Sequence, residues 1–153
     1  MRALLDTSVL LRVSDRASAE HATCIALLQS LEAPNHEKVI CTQVLIEYWV
    51  VATRPIEVNG LGISPAEANS HLSDFLNLMP CLAEPPDVLA RWRTLVAMTN
   101  TRGRPAHDAR LVAVMTAHGI TDLVTLNAPH FGRFPQVRCY TPAQMIQPPP
   151  HAG

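Results

Sequence analysis

The stretch Arg2-Ala3-Leu4-Leu5-Asp6-Thr7-Ser8-Val9-Leu10 decides the fold class. Residues 2–5 form a short and mostly apolar segment, which is typical of a strand that is covered on both faces. Asp6-Thr7-Ser8 then ends the strand and begins a helix, with hydroxyls that are available to cap its first turn. A buried strand that leads directly into a helix predicts the first unit of a parallel α/β sheet.

The same alternation of strand and helix continues along the chain. Three more apolar segments predict strands, over 37–41, 122–126 and 137–140. The intervening segments predict helices over 18–32, 43–53, 65–78, 85–98 and 106–118. Short strands separated by helices pair in parallel, with helices on both faces. The predicted fold class is therefore α/β, with a parallel sheet in an α/β/α sandwich.

The chain has 153 residues, of which 48% are hydrophobic and 16% charged, and this is the size of one domain with a large core. We expect a single domain over residues 1–147 and a disordered tail over 148–153, where three prolines begin the last six residues. No apolar run reaches the ~18–20 residues of a membrane span. Charge at Arg2 and Asp6 comes too early for a signal peptide, so we expect a cytoplasmic protein.

Charge is distributed unevenly along the chain. Residues 1–99 carry seven Lys/Arg and eleven Asp/Glu, a net charge of −4, whereas residues 100–153 carry five Arg and two Asp, a net charge of +3. The total of −1 argues against a globally basic nucleic-acid-binding protein. The asymmetry nevertheless predicts a local basic surface in the C-terminal third.

Three carboxylates occupy places where sites of α/β proteins form. Asp6 follows the first strand and Asp108 lies in the first turn of a helix, and taken alone each is more often structural. Glu47 is the only acidic residue of a helix that is apolar nearly all the way round, without a cation on its own face. A buried carboxylate needs a partner, a proton or a metal. The alternative is that Glu47 points along the rim into water.

The three acids taken together are more informative than any one of them alone. In open α/β sheets, sites form outside the carboxyl ends of the strands, so Asp6, Glu47 and Asp108 are expected to meet there. Clustered carboxylates repel one another unless a cation lies between them. Oxygen ligands without an organised His or Cys set indicate Mg²⁺ or Mn²⁺. The chemistry predicted is metal-assisted hydrolysis of phosphodiester bonds.

At these residues the sequence resembles the PIN-domain family, specifically the VapC-like toxins of bacterial toxin–antitoxin pairs. The resemblance spans about residues 2–146 and is carried by short segments in the expected order. These are Leu4-Leu5-Asp6-Thr7-Ser8-Val9-Leu10, Thr42-Gln43-Val44-Leu45-Ile46-Glu47, Asp108-Ala109-Arg110-Leu111-Val112-Ala113, His118-Gly119-Ile120, Leu123-Val124-Thr125-Leu126-Asn127 and Phe131-Gly132-Arg133-Phe134.

The resemblance implies a PIN-like fold and a Mg²⁺- or Mn²⁺-dependent endoribonuclease. It also implies a homodimer that a small cognate antitoxin holds inactive. Asp6, Glu47 and Asp108 match the metal-binding acids of the family, and Ser8 matches the small polar residue that supports the first acid.

The fourth acid is where this sequence departs from the family pattern. The family often has an aspartate at the end of the late strand or three residues further on, where this chain has Asn127 and His130. Asn127 can bind a water or act as a weak ligand, so we include it among the catalytic candidates. It brings no charge, which leaves one metal, or a second metal that arrives with the substrate phosphate, as the open alternatives.

Four arginines are candidates for contacts with RNA. They flank the third acid or follow the last predicted site residue: Arg102, Arg104, Arg110 and Arg133. The guanidinium group suits phosphate oxygens, although ordinary solvated charge is an equal alternative for any one of them. The helical pair at 64–98 is rich in apolar residues, which we expect to be core; the alternative is an antitoxin-binding groove.

Two other functions remain open from the sequence. A degenerate PIN domain would bind RNA or protein without cleavage, and the missing fourth acid keeps this alternative open. An aspartate-based phosphatase would use Asp6 as its nucleophile, but Ser8 stands where such enzymes usually have a second aspartate.

Overall fold

The computed structural model describes residues 1–30 and 36–146. Its strands are β1 (Arg2–Leu5), β2 (Glu37–Cys41), β3 (Cys81–Leu82), β4 (Asp122–Val124) and β5 (Arg138–Tyr140). Its α-helices are α1 (Thr7–Ser14), α2 (His21–Ser30), α3 (Thr42–Thr53), α4 (Pro65–Leu78), α5 (Val88–Met98), α6 (Pro105–Ala117) and α7 (Pro142–Ile146). Two short 3-10 helices cover Ile56–Val58 and Ala128–Phe131.

The strands form one parallel sheet in the order β3-β2-β1-β4-β5. The chain runs outward from β1 through β2 to β3, and then crosses back to place β4 on the other side of β1. The strand order therefore reverses between β1 and β4. In open α/β sheets, the crevice at the carboxyl ends of such a pair is the usual location of a ligand site.

Helices cover both faces of the sheet, which confirms the predicted sandwich. Helix α5 packs against α6, α1 packs against α2 and α3, α7 packs against α2, and α4 packs against α3. The central strand is closed off from solvent, since Ala3, Leu4 and Leu5 are all fully buried. A strand covered on both faces explains the uninterrupted apolar segment at the start of the sequence.

The predicted strands and helices are observed, with shifted ends. Strand β4 stops at Val124 rather than residue 126, and α2 begins at His21 rather than Ser18. The two-residue strand β3 was not predicted from the sequence. The predicted end of α2 at residue 32, the domain boundary at 147 and the disordered tail at 148–153 lie outside the described residues.

The prediction that side chains of Asp6-Thr7-Ser8 cap α1 is wrong. Asp6 is the N-cap residue, but its side chain accepts no capping hydrogen bond from a backbone N–H of the first turn. The hydroxyl of Thr7 donates to the carbonyl of Val44 in α3, and that of Ser8 donates to Asp6. The Thr7 hydroxyl thus joins α1 to α3, and the Ser8 hydroxyl binds the carboxylate that precedes the helix. Within the described residues, no helix combines the length and apolar character needed to cross a membrane.

Candidate active site

Asp6 lies directly after β1, at the point where the strand order reverses. Its backbone N–H donates to the carbonyl of Val124 over 3.0 Å, which fastens this turn to the end of β4. Asp6 as a residue is only 8% exposed. Oδ2 accepts hydrogen bonds from Thr125 (2.7 Å) and Ser8 (2.9 Å). Both hydroxyls use the same oxygen, so within residues 1–30 and 36–146 no side chain donates to Oδ1.

The two hydroxyls that bind Asp6 also organise the loop after β4. The Ser8 oxygen accepts the N–H of Leu126 at 3.0 Å, and the Thr125 oxygen accepts the N–H of Asn127 at 2.9 Å. Ser8 therefore connects Asp6 to the loop that follows β4. Thr125 was missed, although a hydroxyl that directly follows the apolar pair Leu123-Val124 is a signal that could have revealed it.

Glu47 is half-buried on the second turn of α3 and both of its carboxylate oxygens are engaged. Oε2 accepts a hydrogen bond from Thr7 at 3.2 Å, and Oε1 accepts one from Gln43 at 3.0 Å. Thr7 follows Asp6 in the chain, so its hydroxyl places Glu47 beside the end of β1. Sequence reasoning missed Thr7 and Gln43 as supporting groups.

Asp108 lies in the first turn of α6 and completes the group. Burial raises the pKa of the Asp108 carboxyl, and the negative charges of Asp6 and Glu47 raise it further, whereas His130 and Arg133 lower it. The charges of Asp6 and Glu47 thus act on the Asp108 carboxyl through space. The three acids stand directly after β1, on the second turn of α3 and in the first turn of α6.

The donor set suits a hard divalent cation. Carboxylate oxygens, with hydroxyl groups behind them, are the ligands that Mg²⁺ and Mn²⁺ prefer. Within the described part of the chain, however, no three acidic, imidazole or thiol side chains are already placed as a complete set of metal ligands. The arrangement is thus a neighbourhood of three acids, in which side chains would have to adjust to hold an ion together.

Asn127 and His130 lie at the rim of this neighbourhood. Asn127 precedes the 3-10 helix Ala128–Phe131, and its side chain is exposed. The imidazole of His130 and the guanidinium of Arg133 both act on the charge of Asp108. Positive or polar groups therefore stand where the family pattern often has a fourth acid.

The candidate arginines fall into two groups. Arg110 donates to Gln43 over 3.2 Å and forms an ion pair with Glu84 at 2.8 Å, so its charge already has a partner within the protein chain. Arg102 and Arg104 are exposed in the loop before α6, and neither forms an ion pair with another described residue. Together with Arg133 near Asp108, they are the arginines whose positions suit contact with a phosphate backbone.

An apolar groove of about 310 Å³ lies between α3 and α4. Its lining is almost entirely hydrophobic: Thr42, Leu45, Ile46, Trp49, Val50 and Leu72. Ile46 is 57% exposed and Val50 is 50% exposed, so α3 is apolar nearly all the way round without being buried on every face. An apolar residue on every face of a helix looks the same in sequence whether one face packs on the core or lines a groove.

The expectation that apolar residues at 64–98 form core is also only partly correct. Phe75 and Leu95 are buried, whereas Leu76, Leu78 and Leu89 are at least half exposed. These three residues lie on the faces of α4 and α5 that point away from the core. The alternative of a docking surface in this region therefore stays open.

The family model for the PIN domain matches residues 3–134 of the chain. Among solved structures, VapBC2 from Rickettsia felis bound to a promoter DNA fragment is similar, with a TM-score of 0.66 and 18% identity over 92% of this chain and 98% of that one. VapBC-1 from nontypeable Haemophilus influenzae has a TM-score of 0.69 and 12% identity over 94% and 99% of the two chains. VapC20 from Mycobacterium tuberculosis, described as a sarcin-ricin loop cleaving toxin, has a TM-score of 0.61 and 20% identity over 79% and 86%. No curated protein sequence matches significantly.

Proposed function

Because the chain belongs to the PIN domain family, we propose that it is a Mg²⁺- or Mn²⁺-dependent endoribonuclease that hydrolyses phosphodiester bonds of RNA. The observations that support this proposal are that Thr7, directly after Asp6, donates to Glu47, and that the charges of Asp6 and Glu47 both act on Asp108. Among the described side chains, the donors to Asp6 all use its Oδ2 atom. Ionised carboxylates that lie close together repel one another, and a divalent cation bound between them would remove that repulsion.

Asp6, Glu47 and Asp108 are the residues that would hold the ion. When bound, Mg²⁺ supplies an activated water and neutralises charge that develops on the phosphate oxygens. Asn127 offers an uncharged amide at the rim, where it can orient a water. Ser8 and Thr125 hold Asp6 through its Oδ2 atom, which keeps Oδ1 available.

RNA would reach the acids along a basic rim. Arg102 and Arg104 before α6, and Arg133 beside Asp108, are placed to contact phosphate oxygens. Arg110 is a weaker candidate for this role because Glu84 and Gln43 already bind it. Phosphate contacts of this kind release counterions, so binding would weaken as salt is raised.

We further propose that the protein is the toxin of a toxin–antitoxin pair and acts in the cytoplasm as a homodimer. The similar structures from R. felis and from Klebsiella pneumoniae are of toxin–antitoxin complexes, which supports a small antitoxin as the partner. The apolar groove between α3 and α4 has the character that an amphipathic helix of such a partner would fill.

The proposal is tested by incubating the purified protein with a mixture of RNAs in Mg²⁺, in Mn²⁺ or in EDTA. We expect cleavage with either metal and none in EDTA, because the acids alone cannot activate water. A small phosphate monoester is assayed in parallel. RNA binding without cleavage would instead indicate the degenerate PIN domain, and phosphate release from the monoester would indicate the phosphatase.

A further inference from the structure

A chain of hydrogen bonds runs from the protein surface to Glu47. Glu84, in the connection between β3 and α5, binds Nη2 of Arg110 at 2.8 Å. Nη1 of Arg110 donates to Oε1 of Gln43 at 3.2 Å. Nε2 of Gln43 then donates to Oε1 of Glu47 at 3.0 Å. The side chains of Glu84, Arg110 and Gln43 therefore form a continuous hydrogen-bonded path to Glu47.

The chemistry of the partners fixes which way the Gln43 amide faces. A guanidinium group has only donors, so Gln43 must present its oxygen to Arg110. Its NH₂ group then faces two acceptors, the Glu47 carboxylate and, at 2.8 Å, the backbone carbonyl of His107. A flipped amide would set donor against donor on one side and oxygen against oxygen on the other. Arg110 therefore determines that Glu47 receives a donor.

The second bond of the NH₂ group joins two of the site's elements. His107 immediately precedes Asp108 in α6, whereas Glu47 lies on α3. One buried amide, 5% exposed, thus bridges the carboxylate of one acid to the backbone beside the other. Within the described residues, no other side chain bonds to both Glu47 and the first turn of α6.

Glu84 has a separate effect on the local charge. Arg110 lies one hydrogen bond from Gln43, and Gln43 lies one from Glu47. An uncompensated guanidinium at that distance would repel a cation held by Glu47. The ion pair with Glu84 compensates this charge while leaving the Nη1 donor available to Gln43.

We infer that Gln43 is a positioning residue that holds Glu47 and the first turn of α6 in place for the divalent cation, and that Arg110 and Glu84 hold Gln43. This inference rests on the proposed function, since it concerns the same site. Groups that orient metal ligands typically change metal affinity or activity by about 10–100-fold when they are removed.

The test measures Mn²⁺ affinity by calorimetry, and by electron paramagnetic resonance of the free ion, in the full chain. Gln43→Met keeps the length and volume of the side chain but removes every hydrogen bond of the amide. We expect its Mn²⁺ affinity to fall by about 10–100-fold. Glu84→Gln should weaken Mn²⁺ binding in the same direction by a smaller factor.

The matched control is the ion pair between Arg91 and Asp87 on the exposed face of α5, which has the same 2.8 Å distance. Arg91→Met should leave Mn²⁺ affinity within about twofold of the wild type, since surface pairs contribute little. The melting temperature without metal shows whether each variant is folded. Wild-type Mn²⁺ affinity in folded Gln43→Met would overturn the inference.

If Gln43→Met does not fold, the inference is tested with Arg110→Met and Glu84→Gln instead. Both of these side chains are partly exposed, so we expect the two variants to fold. Unchanged Mn²⁺ affinity in both variants would overturn the inference, and a loss in both supports it. The Mn²⁺ affinity of Glu47→Gln distinguishes failure of this inference from failure of the proposed function. If wild type and Glu47→Gln bind Mn²⁺ equally weakly, the metal site itself is absent and the inference falls with it.

Discussion

Replacing Asp6 with asparagine is expected to lower the rate of metal-dependent RNA cleavage by more than about 100-fold, since loss of a ligand exceeds the usual effect of losing a supporting group. The rate falls because the variant lacks the negative charge of Asp6, and the fold itself should be unchanged. The asparagine oxygen still accepts the hydrogen bonds that Ser8 and Thr125 give to Oδ2. The measurement is the initial rate on one RNA substrate at saturating Mg²⁺.

The stability of the same variant distinguishes a functional acid from a structural one. Removing one of three like charges relieves repulsion, so the melting temperature without metal should not fall. Asp122→Asn is the matched control, because Asp122 is also buried on the sheet but lies at the start of β4, where Arg138 binds it at 2.8 Å. That variant should lose stability and keep its cleavage rate. Equal cleavage by Asp6→Asn and wild type would contradict the assignment.

We expect that expression of the wild-type chain alone stops bacterial growth. Expression of Asp108→Asn should leave growth unaffected. Asp108 sits in the first turn of α6 near Asp6 and Glu47, so its amide variant leaves the site with one less charge for the cation. Growth curves after induction measure the effect, and protein levels are checked by immunoblot. Arg91→Met, on the exposed face of α5, should be as toxic as the wild type.

Equal growth of the wild-type and Asp108→Asn strains, at equal protein levels, would count against a toxin role. Equal toxicity of the two would point to a harmful effect that does not depend on the acids. Only the difference between them connects growth arrest to the site.

The parts of the fold that could be predicted are those with a strong local pattern. The apolar segment Ala3–Leu5 has no polar interruption because this part of β1 is buried on both faces. The three acids could be proposed as one site because the carboxyl ends of parallel strands meet at one edge of a sheet. Strand β3 could not, since two residues, Cys81–Leu82, carry no periodicity.

The supporting network of the site lies beyond what a single sequence shows. Gln43 binds Arg110 across 67 positions, and Thr125 binds Asp6 across 119. Neither contact follows from local spacing, because both depend on how helices and strands approach in three dimensions. The groove on α3 was missed for a related reason, since apolar side chains on all faces of a helix do not reveal which face is left uncovered.

Crystals grown with Mn²⁺ and measured at its absorption edge test the central claim most directly, because anomalous scattering locates the ion without reference to activity. The account predicts a peak beside the end of β1, bound by Asp6 together with Glu47 or Asp108. A map with no Mn²⁺ peak among these acids, at concentrations where the protein cleaves RNA, would contradict it.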